Sequence, residues 1–568
     1  MNVADWLVLA LTLFSIIIYG MWKSRGTKNI EGYLLADKQL PWYHVGLSVM
    51  ATQASAITFL SAPGQAYSDG MRFVQFYFGL PLAMVVLCIT FIPIFQKLNV
   101  YTAYEYLEKR FDNKTRSLTA FLFLLQRGLS TGITIYAPAI ILSTILNIDT
   151  TYTIIANGIL VITYTVYGGT KAVSYTQLFQ MCIIFGGLFL AAYMVVHLLP
   201  ENVGFADALH IAGKMEKING IDTSFDLNNK YNIWSGIIGG FFLQLSYFGT
   251  DQSQVGRYLT GSSITQSRLG LIMNGLVKIP MQFFILMIGT LVFTFYQFHQ
   301  APAFFNKTEL SKIEKSIYSD DYHKLQSQLT MVHNEKQAHL HQLVDGLHEG
   351  DDKKTEQAGE KLRETEQRNT ELRTQLTSLM KQNDPKADVN DTNYVFLSFV
   401  TQQLPIGIVG LLIAIIFLAA MGSTASGLNS LASTTIVDFY KRIFRKEKSD
   451  QGYLTASRTA TVLWGLFCIV VALYASRLGN LIEAVNILGS LFYGTILGIF
   501  LVAFYMKNVG GNAVFAAALI AEAFIFYAWW TDMTAFLWLN VIGCLLVMLL
   551  SFLIDLVIKN RAKKNPAM

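Results

Sequence analysis

The amino-acid sequence predicts an all-α, polytopic membrane protein, and three observations carry that prediction. The 568 residues are 53% hydrophobic and only 14% charged, and apolar runs long enough to cross a bilayer as helix recur along the chain. Lys and Arg gather in every second short connection. Two of the spans are interrupted by polar and small residues in corresponding positions, five spans apart.

The apolar runs place about thirteen spans: 3–22, 44–63, 73–96, 118–146, 152–168, 174–198, 233–250, 268–298, 396–421 with a helical extension to 440, 453–475, 481–506, 512–530 and 534–558. The first span lacks a basic leading region and is followed by positive charge, so it reads as a retained helix and not a cleaved signal. Basic residues set the orientation, from Lys23, Arg25 and Lys28 through Lys97 to Arg116, Lys171 and Arg257, to Lys441–Lys446 and Lys559–Lys564. They put the amino terminus outside and the carboxyl terminus inside. The net charge of +5 then belongs to the cytoplasmic rim, and no nucleic-acid partner is expected. Cys88, Cys182, Cys468 and Cys544 all fall in apolar spans, where neither a disulfide nor a metal cluster is expected.

Composition divides the chain. Residues 1–43 are a leading span and cytoplasmic linker, 44–305 a first transmembrane stretch, 393–506 its continuation, and 507–568 two peripheral spans with a basic tail. Between them, 306–392 is rich in Gln, Lys and Glu, with Leu325, Leu329, Leu340, Leu343, Leu362, Leu372, Leu376 and Leu379 near heptad spacing. Gly346, Gly350, Asp351 and Asp352 interrupt it midway, which predicts an antiparallel helical hairpin outside the membrane, either a solvated spacer or lid or a docking device for a partner.

Backbone can be irregular at membrane depth only where it lines a cavity or is buried in protein. The stretch Ser48–Tyr67 carries Thr52, Gln53, Ser55, Thr58, Ser61, Pro63 and Gly64, and Gly239–Leu259 repeats the pattern with Gln244, Ser246, Tyr247 and Gly249. Such a pair predicts two five-helix repeats with a solute site near the midplane. The run "AAMGSTASGL", Ala419–Leu428, puts hydroxyls where a span should be hydrocarbon. On a helix, Ala420, Ser423 and Thr424 share a face and can offer one carbonyl and two hydroxyl oxygens to a cation. Further carbonyls would come from Ala51 to Ala54 in the interrupted span.

Five motifs resemble the sodium:solute symporter family: "AYEYLEKRF" (Ala103–Phe111), "TIYAPAIIL" (Thr134–Leu142), "YGGTKAVSYTQLFQ" (Tyr167–Gln180), "YFGTDQSQVGRYL" (Tyr247–Leu259) and "LNSLASTTIVDFYKR" (Leu428–Arg442). Within the family the chain is most similar to the branch holding multivitamin, monocarboxylate, iodide and sialic-acid symporters. The hairpin falls outside the resemblance. The resemblance implies a leucine-transporter-type fold of 5+5 inverted repeats, with sodium as the coupling ion. It also implies a small polar organic solute of the sugar, sialic-acid or monocarboxylate class, and a multi-pass location in the bacterial inner membrane.

The family's sodium site falls on Ala51, Ala54 and the "AMGST" helix. Matching the hydroxyl pair gives Ala420, Ser423 and Thr424; an ungapped match through "LNS" gives Ala419, Gly422 and Ser423. The first keeps both hydroxyls and is preferred. Where the family carries Asp after Thr176, this chain has Gln177, which implies one sodium per cycle.

Solute candidates are Ser55, Thr58, Gln75, Gln244 and Asn486, with Tyr247 as the family's gate tyrosine and two intramembrane cations, Arg127 and Lys278. Arg127 suits a solute carboxylate or a gate partner. Lys278 resembles a sugar-contacting lysine or else snorkels toward the cytoplasm. Asp251 and Arg257 read as a structural ion pair or cap, and Glu483 and Glu522 receive no role. No nucleophile–base pair, phosphate loop or metal-ligand spacing points to an enzyme. The competing reading is a transporter-like sensor that binds solute without moving it; a sodium-leak channel is a third.

Overall fold

The structure, a computed structural model, describes residues 1–24, 38–98, 100–146, 148–443 and 449–564. Arg25, Lys28, Arg445 and Lys446, part of the orientation argument, lie outside the described residues, as do the side chains of Lys23, Lys171, Arg561, Lys563 and Lys564. Among the described residues the protein is helical throughout, and ten helices are long and apolar enough to cross a membrane.

Helix α1 (Val3–Ser24) leads. The first interrupted span is two helices, α2 (Trp42–Gln53) and α3 (Ala56–Asp69), parted at Ala54 and Ser55. A 3-10 stretch, Gly70–Tyr77, leads into α4 (Leu80–Val86), which runs on through a π turn to Lys97. Next come α5 (Asn113–Leu146) and α6 (Thr150–His197). The range of α6 holds both spans expected at 152–168 and 174–198, and they do not share one straight axis: the Tyr164 hydroxyl lies 2.9 Å from Thr176 Oγ1, twelve residues on, where a straight helix would part them by about 18 Å.

The second interrupted span is α7 (Gly240–Thr250) and α8 (Gln252–Tyr258), parted at Asp251. Helix α9 (Ile264–Phe298) lies along α2 and α3. A Cβ on Gly289 would stand 2.1 Å from the Pro63 carbonyl oxygen, so backbone meets backbone there and only glycine fits.

The polar insertion is a hairpin of α10 (Ser319–Glu349) and α11 (Asp352–Asn383). It reverses at Gly350, which takes a left-handed φ of 69°, and Asp351 then caps α11 through the Lys353 and Lys354 amides. Leu329, Leu340, Leu343, Leu362 and Leu376 are buried. The hairpin does not stand free. Buried Lys336 reaches Gln297 at the end of α9 (2.9 Å) and Glu366 across the hairpin (2.6 Å), while Arg363 and Arg373 donate to the carbonyls of Lys214 (2.8 Å) and Pro302 (2.7 Å).

After the hairpin, α12 (Val395–Gln403) ends before Pro405 and Gly407, which has φ 89°, and α13 (Ile408–Thr434) begins. The span expected from 396 therefore splits, because Pro405 supplies no N–H to continue the helix. Helix α13 is the most buried of the spans, packed on α1, α5, α6 and both halves of the first broken helix. It is followed by α14 (Asp450–Tyr474), α15 (Leu481–Tyr505), α16 (Gly511–Trp530) and α17 (Phe536–Lys564).

Candidate functional site

Both broken helices line one cavity of about 90 Å³. The first break is local: Ala54 leaves helical geometry at ψ 87°, and Ser55 is extended (φ −91°, ψ 173°) before α3 resumes. Ser55, Thr58, Arg127, Gln244, Tyr247 and Asn486 all line the cavity, so six of the eight solute candidates come together.

The other two do not. Gln75 is fully buried and spends its amide on loop anchoring, donating to the Tyr231 carbonyl (3.0 Å) and accepting from the Asp222 N–H (3.1 Å). Lys278 is also fully buried, so it does not snorkel, and it is not among the residues lining the cavity. Its apolar helix face is shared by Asn274 and Gln282, one turn away on either side.

The lining is rich in polar atoms without a protein partner: Gln53 Oε1, Gln126 Oε1, both amide atoms of Gln244 and Arg127 Nε. Leaving buried polar atoms unpaired costs roughly 1–3 kcal/mol each, so a cavity built this way suits a hydrogen-bonding guest. Gln53, Gln126, Ser130 and Tyr493 are lining residues that sequence reasoning missed. Gln126 carried the same signal as its neighbour Arg127, a polar side chain inside an apolar span. Tyr493 carried none, since an aromatic in a membrane helix is ordinary.

At one end the cavity is closed by a polar knot around Asp251. Its carboxylate caps α8, accepting from the Ser253 N–H (2.8 Å) and hydroxyl (2.6 Å), and it accepts from the Tyr493 hydroxyl at 2.8 Å. Arg127 lies 3.7 Å from it, hydrogen-bonds Ser253 and stacks over the Tyr247 ring at 5.8 Å. Tyr247 accepts from Gln254 at 2.7 Å. The cap expected of Asp251 is present, and its charge partner is Arg127. At the opposite end, near the start of α15, Glu483 pairs with Lys230. A short lid segment, Thr392–Tyr394, ties that end together: Ser61 donates to Asn393 (2.7 Å), which donates to the Gly479 carbonyl (3.0 Å).

Beside the first break, α13 presents hydroxyls to α2. Thr52 and Ser426 lie 3.1 Å apart, and Gln177 of α6 donates to Thr52 (3.2 Å), Ser426 (3.1 Å) and the Gly422 carbonyl (3.4 Å) while accepting from Ser48 (2.6 Å). Counting roughly 100° per residue around the axis, Ala419, Gly422 and Ser423 fall within about 60° of Ser426. By the same count Ala420 and Thr424 lie about 120° and 160° away. Thr424 is buried toward α5, where Gly427, one turn on, meets Thr131. By phase, then, Ala419, Gly422 and Ser423 share the Ser426 side of α13, whereas Ala420 and Thr424 are turned away from it, with Ser423 Oγ donating to the carbonyls of both Ala419 (2.9 Å) and Ala420 (3.2 Å).

Comparison with known proteins agrees with this architecture. The sodium/sialic acid symporter NanT of Aliivibrio fischeri is 25% identical over 568 residues, covering 99% of this chain and 94% of that one. The human sodium/iodide cotransporter is 32% identical over 273 residues, 48% of this chain and 42% of its own length. A solved sodium-coupled sialic acid symporter, substrate-bound and outward-open, shares the fold with a TM-score of 0.75 at 21% identity, over 98% of both chains. The description "Sodium:solute symporter family" matches residues 33–314 and 383–521, stopping and resuming on either side of most of the hairpin. A multi-pass membrane protein with paired broken helices around a polar cavity, matched over most of its length, this chain belongs to the sodium:solute symporter family.

Proposed function

We propose that the protein is a sodium-coupled symporter that imports a small polar organic solute, of the sugar, sialic-acid or monocarboxylate class, by alternating access. The observation that carries this reading is the convergence of both broken helices on one cavity where the Gln244 amide, the Gln53 and Gln126 side-chain oxygens and Arg127 Nε lack protein partners. Its setting is the bacterial inner membrane, with the amino terminus outside, as the basic loops and the near full-length match to a bacterial relative support.

In this orientation the Arg127–Asp251–Tyr493 knot closes the cytoplasmic side, and the Glu483 end faces outward. Sodium, the cargo ion, sits between the first break and α13. Its oxygens come from the carbonyls of Ala51 and Ala54, the carbonyls of Ala419 and Gly422, and Ser423 Oγ. The Ser423 hydroxyl donates to the Ala419 carbonyl at 2.9 Å and so turns its lone pairs outward. Solute contacts fall to Ser55, Thr58, Gln244, Tyr247, Asn486 and Arg127.

Gln177 brings an amide where a carboxylate would favour another cation, so one sodium moves per cycle. That is sufficient energetically. About 2.3 kcal/mol per 100 mV, added to about 1.4 kcal/mol for a tenfold gradient, concentrates a neutral solute a few hundredfold. Proteoliposomes with an inward sodium gradient test the reading. Solute should accumulate and stop when potassium replaces sodium, with one charge moved per neutral solute. Accumulation independent of sodium, or binding without accumulation, refutes it.

A further inference from the structure

We infer that a stripe of serines on α13 is the path by which sodium leaves its seat, and that Arg257 is the bar across it. The bar is carried on the same short helix that closes the solute cavity. The inference rests on the symport reading and adds the ion's route and its gate.

Below Ser423, α13 continues Ser426, Ser430 and Ser433, spaced three and four residues apart on one side of the helix. All are buried. Ser430 donates to the Gly427 carbonyl (2.7 Å) and Ser433 to the Ser430 carbonyl (2.9 Å). A serine hydroxyl has one proton and two lone pairs, so with the proton spent on its own helix it offers only acceptor capacity sideways. A column of such oxygens suits a cation and not an anion.

The column faces space. A second cavity, small at about 20 Å³, lies between α13 and α8 and is lined by Ser426, Asn429, Ser430 and Ser433 on one side and by Gln252 and Arg257 on the other. Asn429 is only 4% exposed, yet neither amide atom has a partner. A buried carboxamide left unpaired in a hydroxyl-lined cavity is placed to lend its oxygen to a passing ion.

At the top of this cavity the path is closed. Arg257 donates to Ser426 Oγ at 2.9 Å and to Ser174 Oγ at 3.2 Å, and Gln177 and Thr52 crowd the same Ser426 oxygen. The guanidinium thus fills the rung directly below the seat, with both positive charge and hydrogen bonds opposing a cation. Arg257 belongs to α8, whose cap is Asp251. One seven-residue helix therefore carries the floor of the solute cavity at its start and the bar of the ion path at its end. Withdrawing α8 opens both together, which releases solute and sodium on the same side in one movement.

Two variants in proteoliposomes test this. Arg257→Gln should let sodium cross without solute, at least tenfold above the wild-type flux; a flux at the wild-type level overturns the bar. Asn429→Leu should lower turnover at least fivefold while leaving the half-saturating sodium and solute concentrations unchanged; unchanged turnover overturns the route. Retention of the sodium-dependent thermal shift shows that each variant is folded. As a check that does not depend on either, Ser433→Cys should react with a cationic methanethiosulfonate from the cytoplasmic face during sodium-driven cycling and lose transport; a thiol that stays unreactive while cycling overturns the route. Wild-type protein that fails to accumulate solute would sink the symport reading itself, whereas normal wild-type transport with unaltered variants sinks only this path.

Discussion

At the scale of single residues, helix phase decides which oxygens meet the ion. Ser423 lies within about 60° of the Ser426 side of α13 that meets Thr52, and Thr424 about 160° from it, so the two hydroxyls make opposite predictions. Ser423→Ala should raise the half-saturating sodium concentration about tenfold, the equivalent of ~1.4 kcal/mol, while Thr424→Ala should leave it unchanged. Sodium titration of uptake or of thermal stability checks both, and equal effects would restore the alternative grouping. The hydroxyl run in an apolar span was legible in the sequence; which of its residues share the Ser426 side of the helix was not, because neighbouring residues about 100° apart read alike until the helix phase is known. Lys278 and Gln75 failed for a related reason: a polar residue in a span signals burial with a purpose, but not which face the purpose is on.

A second prediction belongs to the outer lid. Burial pushes the Asp388 carboxyl up to about 7, helped by the nearby charges of Glu309 and Asp391. An ordinary aspartate titrates near 3.9, so between roughly pH 4 and 7 the folded chain keeps a proton that the unfolded chain has released. Stability from this group is therefore complete below about pH 4 and is lost as pH rises through 7. Melting temperatures between pH 5 and 8 should fall in the wild type and run flatter in Asp388→Asn; parallel profiles would remove Asp388 from the account.

At the scale of elements, the breaks are the working parts, and each has its own local cause. Asp251 both ends α7 and starts α8, while its charge is shared by Arg127 and Tyr493. Asparagine caps as well as aspartate, so Asp251→Asn should keep the helix start and the fold but weaken the knot, slowing transport with a small change in melting temperature. Asp251→Ala should add a capping loss of about 1 kcal/mol. The lid offers a steric counterpart. A Cβ on Gly64 would stand 1.9 Å from the Thr392 carbonyl oxygen, so Gly64→Ala must push the lid off α3. Lower thermal stability together with greater cysteine accessibility around Asn393 would report it. Both interrupted spans were visible in the sequence as polar runs. The split before α13 was not, because hydropathy measures how apolar a stretch is and is silent on whether two apolar stretches share one axis.

At the scale of the whole molecule, composition and basic loops were enough to predict a helical membrane protein, and the paired interruptions were enough to predict where its cavity lies. What they could not supply is the division of labour among the helices. The solute floor, the ion path and the outer lid meet on α8, α13 and the Thr392–Tyr394 segment, through contacts between residues hundreds of positions apart. Such pairings as Arg257 with Ser426, or Gln65 with Asn480, leave no mark in local pattern.

The hairpin has a practical consequence. Because α10 is fastened to α9 through the buried Lys336, α11 to the Pro302 carbonyl after α9 through Arg373, and His348 beside the turn lies 3.5 Å from Asp207, the exposed turn at Gly350 is a fixed handle, not a loose tether. A nanobody gripping that handle, or a compact domain spliced in at the turn, would inherit the orientation of the helix bundle. It would give electron cryomicroscopy the asymmetric landmark that a 63.6 kDa chain hidden in detergent otherwise lacks.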